Sequence, residues 1–401
     1  MTFQPLKGIR VLDLTSVVVG PAATLRLAQF GADVIKVENP AGDLMRGLGG
    51  ISPTGQHSGT YLHLNRNKKN ICLDLKKPDA KAVINRLVDS CSIVVANMRP
   101  DALARLGLDP ATIRARDPSK IYCLLTGYGT DGPYAGWPTY DSVVQGVSGI
   151  AGLTIARDGV PNYVPLLVCD HVVGEIAAGS ILAAVLERHR TGTGMLNELP
   201  MFETMAAFVM QEHLAQHSFD PPVGPPGDRR LLSPHNRPVQ TKDGFISVTI
   251  NTDDQVRGFL NATGKAELAD DPRFNSVAAR AKYNNEWFEV RGAPLLDRTT
   301  DEWLEIFRAA DLAAMPCHTL ESLPHDPHLE AVDMLSFEQH PAEGRVAAIR
   351  PSLMVDGEHL DPGRPSSPRG WETDAVLAEL GFSEAEIAAL RSSGAAVSAA
   401  R

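Results

Sequence analysis

Cysteine is scarce in this chain, five residues among 401. Cys72, Cys91, Cys123, Cys169 and Cys317 are scattered and form no C-x-x-C pair. Such a set builds neither a disulfide framework nor a structural zinc site, and it suits a reducing compartment. Positive charge is also in deficit, with 38 Lys and Arg against 48 Asp and Glu and a formal net charge of −10. That balance argues against a nucleic-acid partner, which would be held through a basic surface. A few clustered cations still suffice for a small phosphorylated ligand. The opening residues MTFQPLKGIR contain no apolar signal region. The longest apolar run, 176–186, is bounded by Glu175 and Glu187. It is too short to span a bilayer and reads as a buried helix. The expectation is a soluble cytoplasmic protein without a membrane partner. Also absent are a G-x-x-x-x-G-K-[ST] loop, a G-x-S-x-G elbow and an H-E-x-x-H pair, which disfavours NTPase, α/β-hydrolase and zinc-protease chemistry.

What is present is ordinary for a globular protein, with 43% hydrophobic and 21% charged residues. The length predicts two domains. In the first half, strand and helix signals alternate. Residues 8–14 (GIRVLDL) form a short apolar run, and Gly20-Pro21 then opens a helical pattern that stops at Gly31. Residues 33–38 (DVIKVE) complete a β-α-β unit, whose parallel strands need a crossover helix. Strands are further predicted over 71–75, 92–97, 121–126 and 195–199. Helices are predicted over 78–90, 170–190 and from 200 to about 216.

The Pro/Gly-rich stretch 220–226 (DPPVGPP) is the best linker candidate. The domain expectation is therefore a large α/β part over 1–220 and a small domain over 225–330. Residues 331–401 form a C-terminal segment. Capping boxes at Thr299-x-x-Glu302 and Ser383-x-x-Glu386 announce two helices. A strand is predicted over 344–350, and 392–401 reads as a frayed tail.

Gly127-x-Gly129-x-x-Gly132 matches a dinucleotide fingerprint, but it runs into Asp131-Gly132-Pro133 and Trp137-Pro138. That is turn chemistry rather than the helix start a pyrophosphate requires. His213 and His217 stand four apart on a predicted helix, yet a zinc site wants a third ligand and a supporting shell, so no metal is assigned. Cations cluster at Arg66-Lys68-Lys69, Lys76-Lys77, Arg99 with Arg105, and Arg188 with Arg190. Several fall near the ends of predicted strands, where open α/β sheets bind ligands. Asp170 stands at the start of the apolar helix 170–190. It reads either as an N-cap or as a carboxylate kept ionised by the helix dipole and fit for nucleophilic attack.

Several ordered motifs together resemble the class III (CaiB/BaiF-like) coenzyme A transferase family. They are PLKGIRVLDLTSVVVGPAATLRLAQFGADVIKVE at 5–38, NRNKKNICLDLK at 65–76, NMRP at 97–100 and residues 103–108. GYGTDGPYAGWPTYDSVVQGVSG at 127–149 and RHRTGTG at 188–194 follow in order. The likeness is close over the first half and thinner at 271–274 (DPRF) and 375–381 (AVLAELG).

The resemblance implies an α/β fold: an open Rossmann-like large domain plus a smaller α+β domain, in an interlocked homodimer. In that fold the N- and C-terminal segments together build the large domain. It implies Asp170 as the catalytic nucleophile, attacking an acyl-CoA and passing through an acyl-aspartyl anhydride and an aspartyl-CoA thioester. Coenzyme A enters as a substrate rather than as a tightly bound cofactor. Val18, Val19, Leu73, Asp74, Leu75, Lys76, Asn97, Met98, Arg99 and Arg105 match its contact positions, with Arg105 at the phosphate end.

Tyr140 stands where the racemase branch carries its histidine, followed by Asp141, and tyrosine is a weak base near neutrality. Asn39 and the Pro- and Arg-rich 223–238 depart from the formyl-CoA transferases, which have a glycine-rich lid. Tyr140, Arg229, Arg230 and Arg237 are substrate-binding candidates, and the arginines favour a small dicarboxylate such as succinate as one partner. The expected activity is acyl-CoA:carboxylate CoA transfer. An acyl-CoA racemase or epimerase and a catalytically silent CoA-binding homologue are the alternatives.

Overall fold

The computed structural model describes residues 3–293 and 295–399. Strands buried on both faces read as nearly unbroken apolar runs, and that is how this chain writes its main sheet. The first six strands are β1 (Arg10–Leu14), β2 (Asp33–Glu38), β3 (Lys69–Leu73), β4 (Ile93–Ala96), β5 (Ile121–Thr126) and β6 (Leu196–Pro200). They pair in parallel in the order β3-β2-β1-β4-β5-β6. The order reverses between β1 and β4, so their crossovers leave on opposite faces and open a crevice at their carboxyl ends. Helix Ala80–Ser90 covers one face with Val83, Ile84, Leu87 and Val88 buried.

Val168–Thr191 is 24 residues long and apolar enough, by length and composition, to cross a membrane. It exceeds the apolar run seen in the sequence because it includes polar residues at both ends. Here it packs on helix Val19–Gln29 with Val173, Ala177 and Ile181 buried. Gly174 makes that crossing possible, since a Cβ there would lie 2.8 Å from the Val19 carbonyl oxygen.

The chain divides into two compact units. One takes the chain up to Ser148, Val164–Ala207 and the chain from Pro327, while the other takes Gly149–Tyr163 and Phe208–Asp326. The division thus falls at 207, and the stretch 220–226 lies inside the second unit. That unit carries a three-stranded antiparallel sheet of β7 (Val239–Gln240), β8 (Phe245–Thr249) and β9 (Ala313–Pro316). Helices pack on it around Phe259, Trp287, Trp303 and Phe307. Both predicted capping boxes form, at Thr299 and at Ser383. The helix after β6 closes at His213, and a short 3-10 turn, Ala215–Ser218, follows. His213 and His217 therefore do not share one helix face.

Beyond Pro327 the chain adds the hairpins β10 (Leu335–His340) with β11 (Gly344–Ile349), and β12 (Met354–Val355) with β13 (Glu358–His359). A last strand, β14 (Ala396–Val397), pairs antiparallel with β3 and completes a seven-stranded sheet. The expectation of a frayed tail from 392 is therefore corrected as far as 399. Thr373 Oγ1 donates to the Val397 carbonyl, Ser398 Oγ to Asp374 and Ala399 N to the Gly370 carbonyl, beside the ladder to β3.

Candidate active site at the carboxyl edge of the sheet

The site is built on the turn between β1 and helix Val19–Gln29. Gly20 lies so close to Thr15 that a Cβ would sit within 2.5 Å of three of its side-chain atoms, which makes the turn tight. Val17 has a φ of 70°. For a β-branched residue this left-handed conformation costs about 1–3 kcal/mol, and it persists only where the surroundings enforce it. The backbone groups of Thr15 and Ser16 and the Val17 amide each have a keeper. Asp13 Oδ1 accepts from Thr15 N at 2.9 Å, and the Asn97 side chain accepts from Ser16 N at 3.0 Å and donates to Ser16 O at 2.9 Å. Lys36 Nζ donates to Thr15 O at 2.8 Å, and Asp43 Oδ1 accepts from Val17 N at 3.0 Å. By contrast, the helix has no side-chain cap at Val18. The Val18 and Val19 amides have no acceptor among the described residues. They form a positive helix terminus with donors unused.

Two cavities flank this turn, and Ser16 and Met98 line both. One, of about 350 Å³, spreads over the ends of β1 to β4 and is lined by Val37, Leu73, Asp74, Leu75, Lys76 and Arg105 among others. The other, of about 260 Å³, is lined by Val18, Val19, Asn97, Arg99, Tyr140 and Asp170 among others. No carboxylate among the described residues pairs with Lys76, Arg99 or Arg105, whereas Arg66, Lys68 and Lys69 are taken up by Glu338, Asp13, and Asp33 with Glu379. The cluster Arg66-Lys68-Lys69 is thus part of the framework at the start of β3. Arg190 is likewise paired with Glu187 on the exposed end of its helix.

Asp170 lies in the first turn of helix Val168–Thr191, not at its N-cap, which is Leu167 and carries no side-chain cap. Capping comes from outside: Asp141 Oδ2 accepts from the backbone amides of Cys169 at 2.8 Å and Asp170 at 3.0 Å. Gln145 Nε2 holds the other Asp141 oxygen at 2.7 Å. The Asp170 carboxyl is thereby released from helix duty, and it makes no hydrogen bond among the described residues. Burial first, and the charge of Asp141 second, push it up to about 7. Burial and Asp141 thus oppose the ionisation that the helix dipole favours. Neighbouring Cys169 is no rival nucleophile, because burial and then Asp141 drive its thiol up to about 12.

Under the turn lies a buried charged network. Lys36, fully buried, reaches Asp43 at 2.9 Å, and Lys68 reaches Asp13 at 3.4 Å. Burial opposes the Asp13 charge, but Lys68, Lys36 and the hydroxyls of Thr15 and Thr24 hold its carboxyl below the ordinary range. Lys68 is brought down to about 8 by burial. Glu38 stays near 2 against its burial because Arg46, Lys36 and Tyr61 all favour its charge. Removing one partner of such a pair costs about 3–5 kcal/mol.

The structure thus gathers Val18, Val19, Leu73, Asp74, Leu75, Lys76, Asn97, Met98, Arg99, Arg105, Tyr140 and Asp170 around two adjoining cavities of one unit. Arg229, Arg230 and Arg237 belong to the second unit, where Arg230 pairs with Asp228 at 2.6 Å. Sequence reading passed over the Asp141 cap, which acts across 28 and 29 residues, and the Asp43–Lys36 pair, whose burial no residue type announces. It also passed over Val17, whose strain no residue type announces. The 127–132 segment is a turn-rich loop fastened through Gly129 N to Glu203 and Thr130 N to Glu198.

Comparison with known proteins gives this geometry a context. Residues 6–373 match the model of CoA-transferase family III. A succinate–glutarate CoA-transferase of Agrobacterium fabrum is 34% identical over 384 residues, covering 94% of this chain and 96% of its own. The succinyl-CoA:glutarate CoA-transferase of Homo sapiens is 29% identical, covering 98% and 90%. The crystal structure of a CaiB/BaiF family protein from Brucella suis superimposes with a TM-score of 0.78 at 27% identity, covering 94% of this chain and 99% of that one.

Proposed function

The chain belongs to CoA-transferase family III, and we propose that it moves coenzyme A from an acyl-CoA to a carboxylic acid through covalent intermediates on Asp170. The observation that carries this reading is one juxtaposition: an unbonded, buried carboxyl shares a cavity with the free amides of Val18 and Val19. In the first step the Asp170 carboxylate attacks the donor thioester carbonyl. The C–S bond breaks, leaving an acyl-aspartyl anhydride and the CoA thiolate. Attack by the thiolate on the aspartyl carbonyl gives an aspartyl-CoA thioester and releases the donor acid. The acceptor carboxylate displaces the thiolate from that carbonyl, forming a second anhydride. Thiolate attack on the acceptor's acyl carbon then yields the new acyl-CoA and regenerates Asp170. No proton is gained or lost overall, and one thioester is present at the start and one at the end. Each tetrahedral oxyanion would find donors in the Val18 and Val19 amides.

In this reading the larger cavity takes the nucleotide end, with Lys76 and Arg105 as its unpaired cations and Leu73–Leu75 as its wall. Asn97, Met98 and Arg99 join the two cavities, and Tyr140 edges the acyl site. A small dicarboxylate such as succinate or glutarate as one partner is supported by the names of the two relatives. Arg229 and Arg237, which carry no ion pair among the described residues, are candidates for its second carboxylate, with Arg230 beside them. The reading also carries an interlocked homodimer, which would cover the exposed Trp137, Leu166 and Leu186. A cytoplasmic setting accords with five free cysteines.

The test is intact-mass spectrometry and peptide mapping after incubation with a panel of acyl-CoAs, with and without borohydride. A CoA adduct, or its reduced remnant, on Asp170 is expected. Coenzyme A binding with no adduct and no exchange from any donor would mean a silent binder. Deuterium uptake at the substrate α-carbon without transfer would mean a racemase.

A further inference from the structure

We propose that Asp43 is a positioning residue for the reaction at Asp170, holding Val17 left-handed so that the Val18 and Val19 amides face the acyl cavity. The inference rests on the transferase reading of that cavity.

Asp43 is buried and uses each carboxylate oxygen on a different task. Oδ1 accepts the Val17 amide at 3.0 Å and the Met45 amide at 2.9 Å. Oδ2 faces Lys36 Nζ at 2.9 Å. The same Lys36 nitrogen donates to Thr15 O at 2.8 Å. One ion pair therefore grips the turn at both ends, through the carbonyl of Thr15 and the amide of Val17. Asn97 holds the peptide groups of Ser16 between them. Asp43 is itself fixed, since its own amide donates to Glu38 Oε2 at 2.9 Å, and Glu38 is clamped by Arg46.

The arrangement is more than the turn's own chemistry requires. Glycine is the residue that takes a positive φ freely, and valine is among those that resist it most. With valine at 17, the left-handed state exists because its amide has a fixed acceptor. If that acceptor is lost, the chain relaxes to a negative φ. The peptide planes leading into the helix then rotate, and the two free amides turn with them. Binding of the nucleotide end draws on Lys76, Arg105 and Leu73–Leu75, away from the two amides, and so depends less on the turn, although Ser16 and Asp43 also line that cavity. Asp43 lies against that larger cavity rather than beside Asp170, so its influence on chemistry has to pass through the backbone.

The experiment compares the wild type with Asp43→Ala, Asp43→Asn and the double variant Asp43→Ala/Val17→Gly. It measures kcat and KM for CoA exchange together with a crystal structure of each. Asp43→Ala is expected to lower kcat by about tenfold or more, the scale of one unfavourable backbone well. KM for the acyl-CoA should change far less, and φ of residue 17 should turn negative. Asp43→Asn keeps an acceptor oxygen and should lose less. In the double variant glycine takes the positive φ without Asp43, so kcat should recover several-fold over Asp43→Ala. A folded Asp43→Ala with unchanged kcat, or with Val17 still left-handed, overturns the proposal. So does a double variant in which the turn is restored and activity is not. If Asp43→Ala fails to fold, the graded loss in Asp43→Asn and its rescue by Val17→Gly decide. Absence of exchange in the wild type would refute the transferase reading alone, leaving the conformational claim to the crystal structures.

Discussion

The two units bury different things. The second unit closes on aromatic rings: Phe259 and Phe307 stack at 5.6 Å, and Trp303 and Phe307 at 5.3 Å, with Trp303 Nε1 donating to Leu295 O. Arg280 and Arg291 are its buried charged side chains among the described residues. The large unit packs aliphatic strands and then, at one sheet edge, buries Asp13, Lys36, Glu38, Asp43, Lys68 and Asp170. Burial of ring surface stabilises mainly by area removed from water, a term with no preferred direction. Buried ion pairs seldom add net stability, but they fix atoms in place. The contrast teaches where this protein spends stability on geometry, namely at the turn that faces Asp170.

Breaking the contrast at its strongest point means replacing Asp170. Asp170→Asn should lower CoA exchange by a thousandfold or more, on the scale known for removing a covalent nucleophile, about 4 kcal/mol. It should do so without loss of fold, as checked by transfer assay and thermal melting. Retained exchange in that variant would remove Asp170 from the mechanism.

Next comes pH. The Asp170 carboxyl is raised from an ordinary 3.8 to about 7 in the folded protein. The folded state therefore holds a proton that the unfolded chain has already released. Its ionisation costs stability, a cost absent below 3.8 that grows to its full size by about 7. Relative to Asp170→Asn, the wild type should lose up to about 4 kcal/mol across that window, measured by urea unfolding at stepped pH. The rate with limiting acyl-CoA should climb through the same range as the nucleophile ionises, and flatten above 7. A difference that is flat with pH would show Asp170 ionised throughout.

The smallest effect lies in the second unit. Trp303→Phe leaves the Leu295 carbonyl without its donor and opens a small gap, costing about 1–3 kcal/mol. Stability should move while acyl-CoA KM stays within error, and a change in KM at constant stability would blur the division drawn above.

Much of this was legible in the sequence because it is written locally. Continuous apolar runs gave the strands, and β2 and β5 fall on the predicted residues. Capping boxes depend on residues three apart, and both formed. What escaped depends on partners far along the chain. Two-residue β14 has no periodicity of its own and exists only against β3. Lys68 looks like surface charge until Asp13 is brought to it. For Asp170 the helix start was visible, while its burial and the nearby charge of Asp141 were not.

The pairing of β14 with β3 has a consequence for biosynthesis. Residues 72 and 73 emerge from the ribosome long before their partners 396 and 397 are made. The second unit, whose residues all precede Pro327, is complete well before then. Throughout that interval one edge of a hydrophobic parallel sheet is unpaired and open to neighbouring nascent chains. The large unit is therefore finished only after residues 396 and 397 have left the ribosome, and chaperone occupancy during translation should concentrate on the strand that waits.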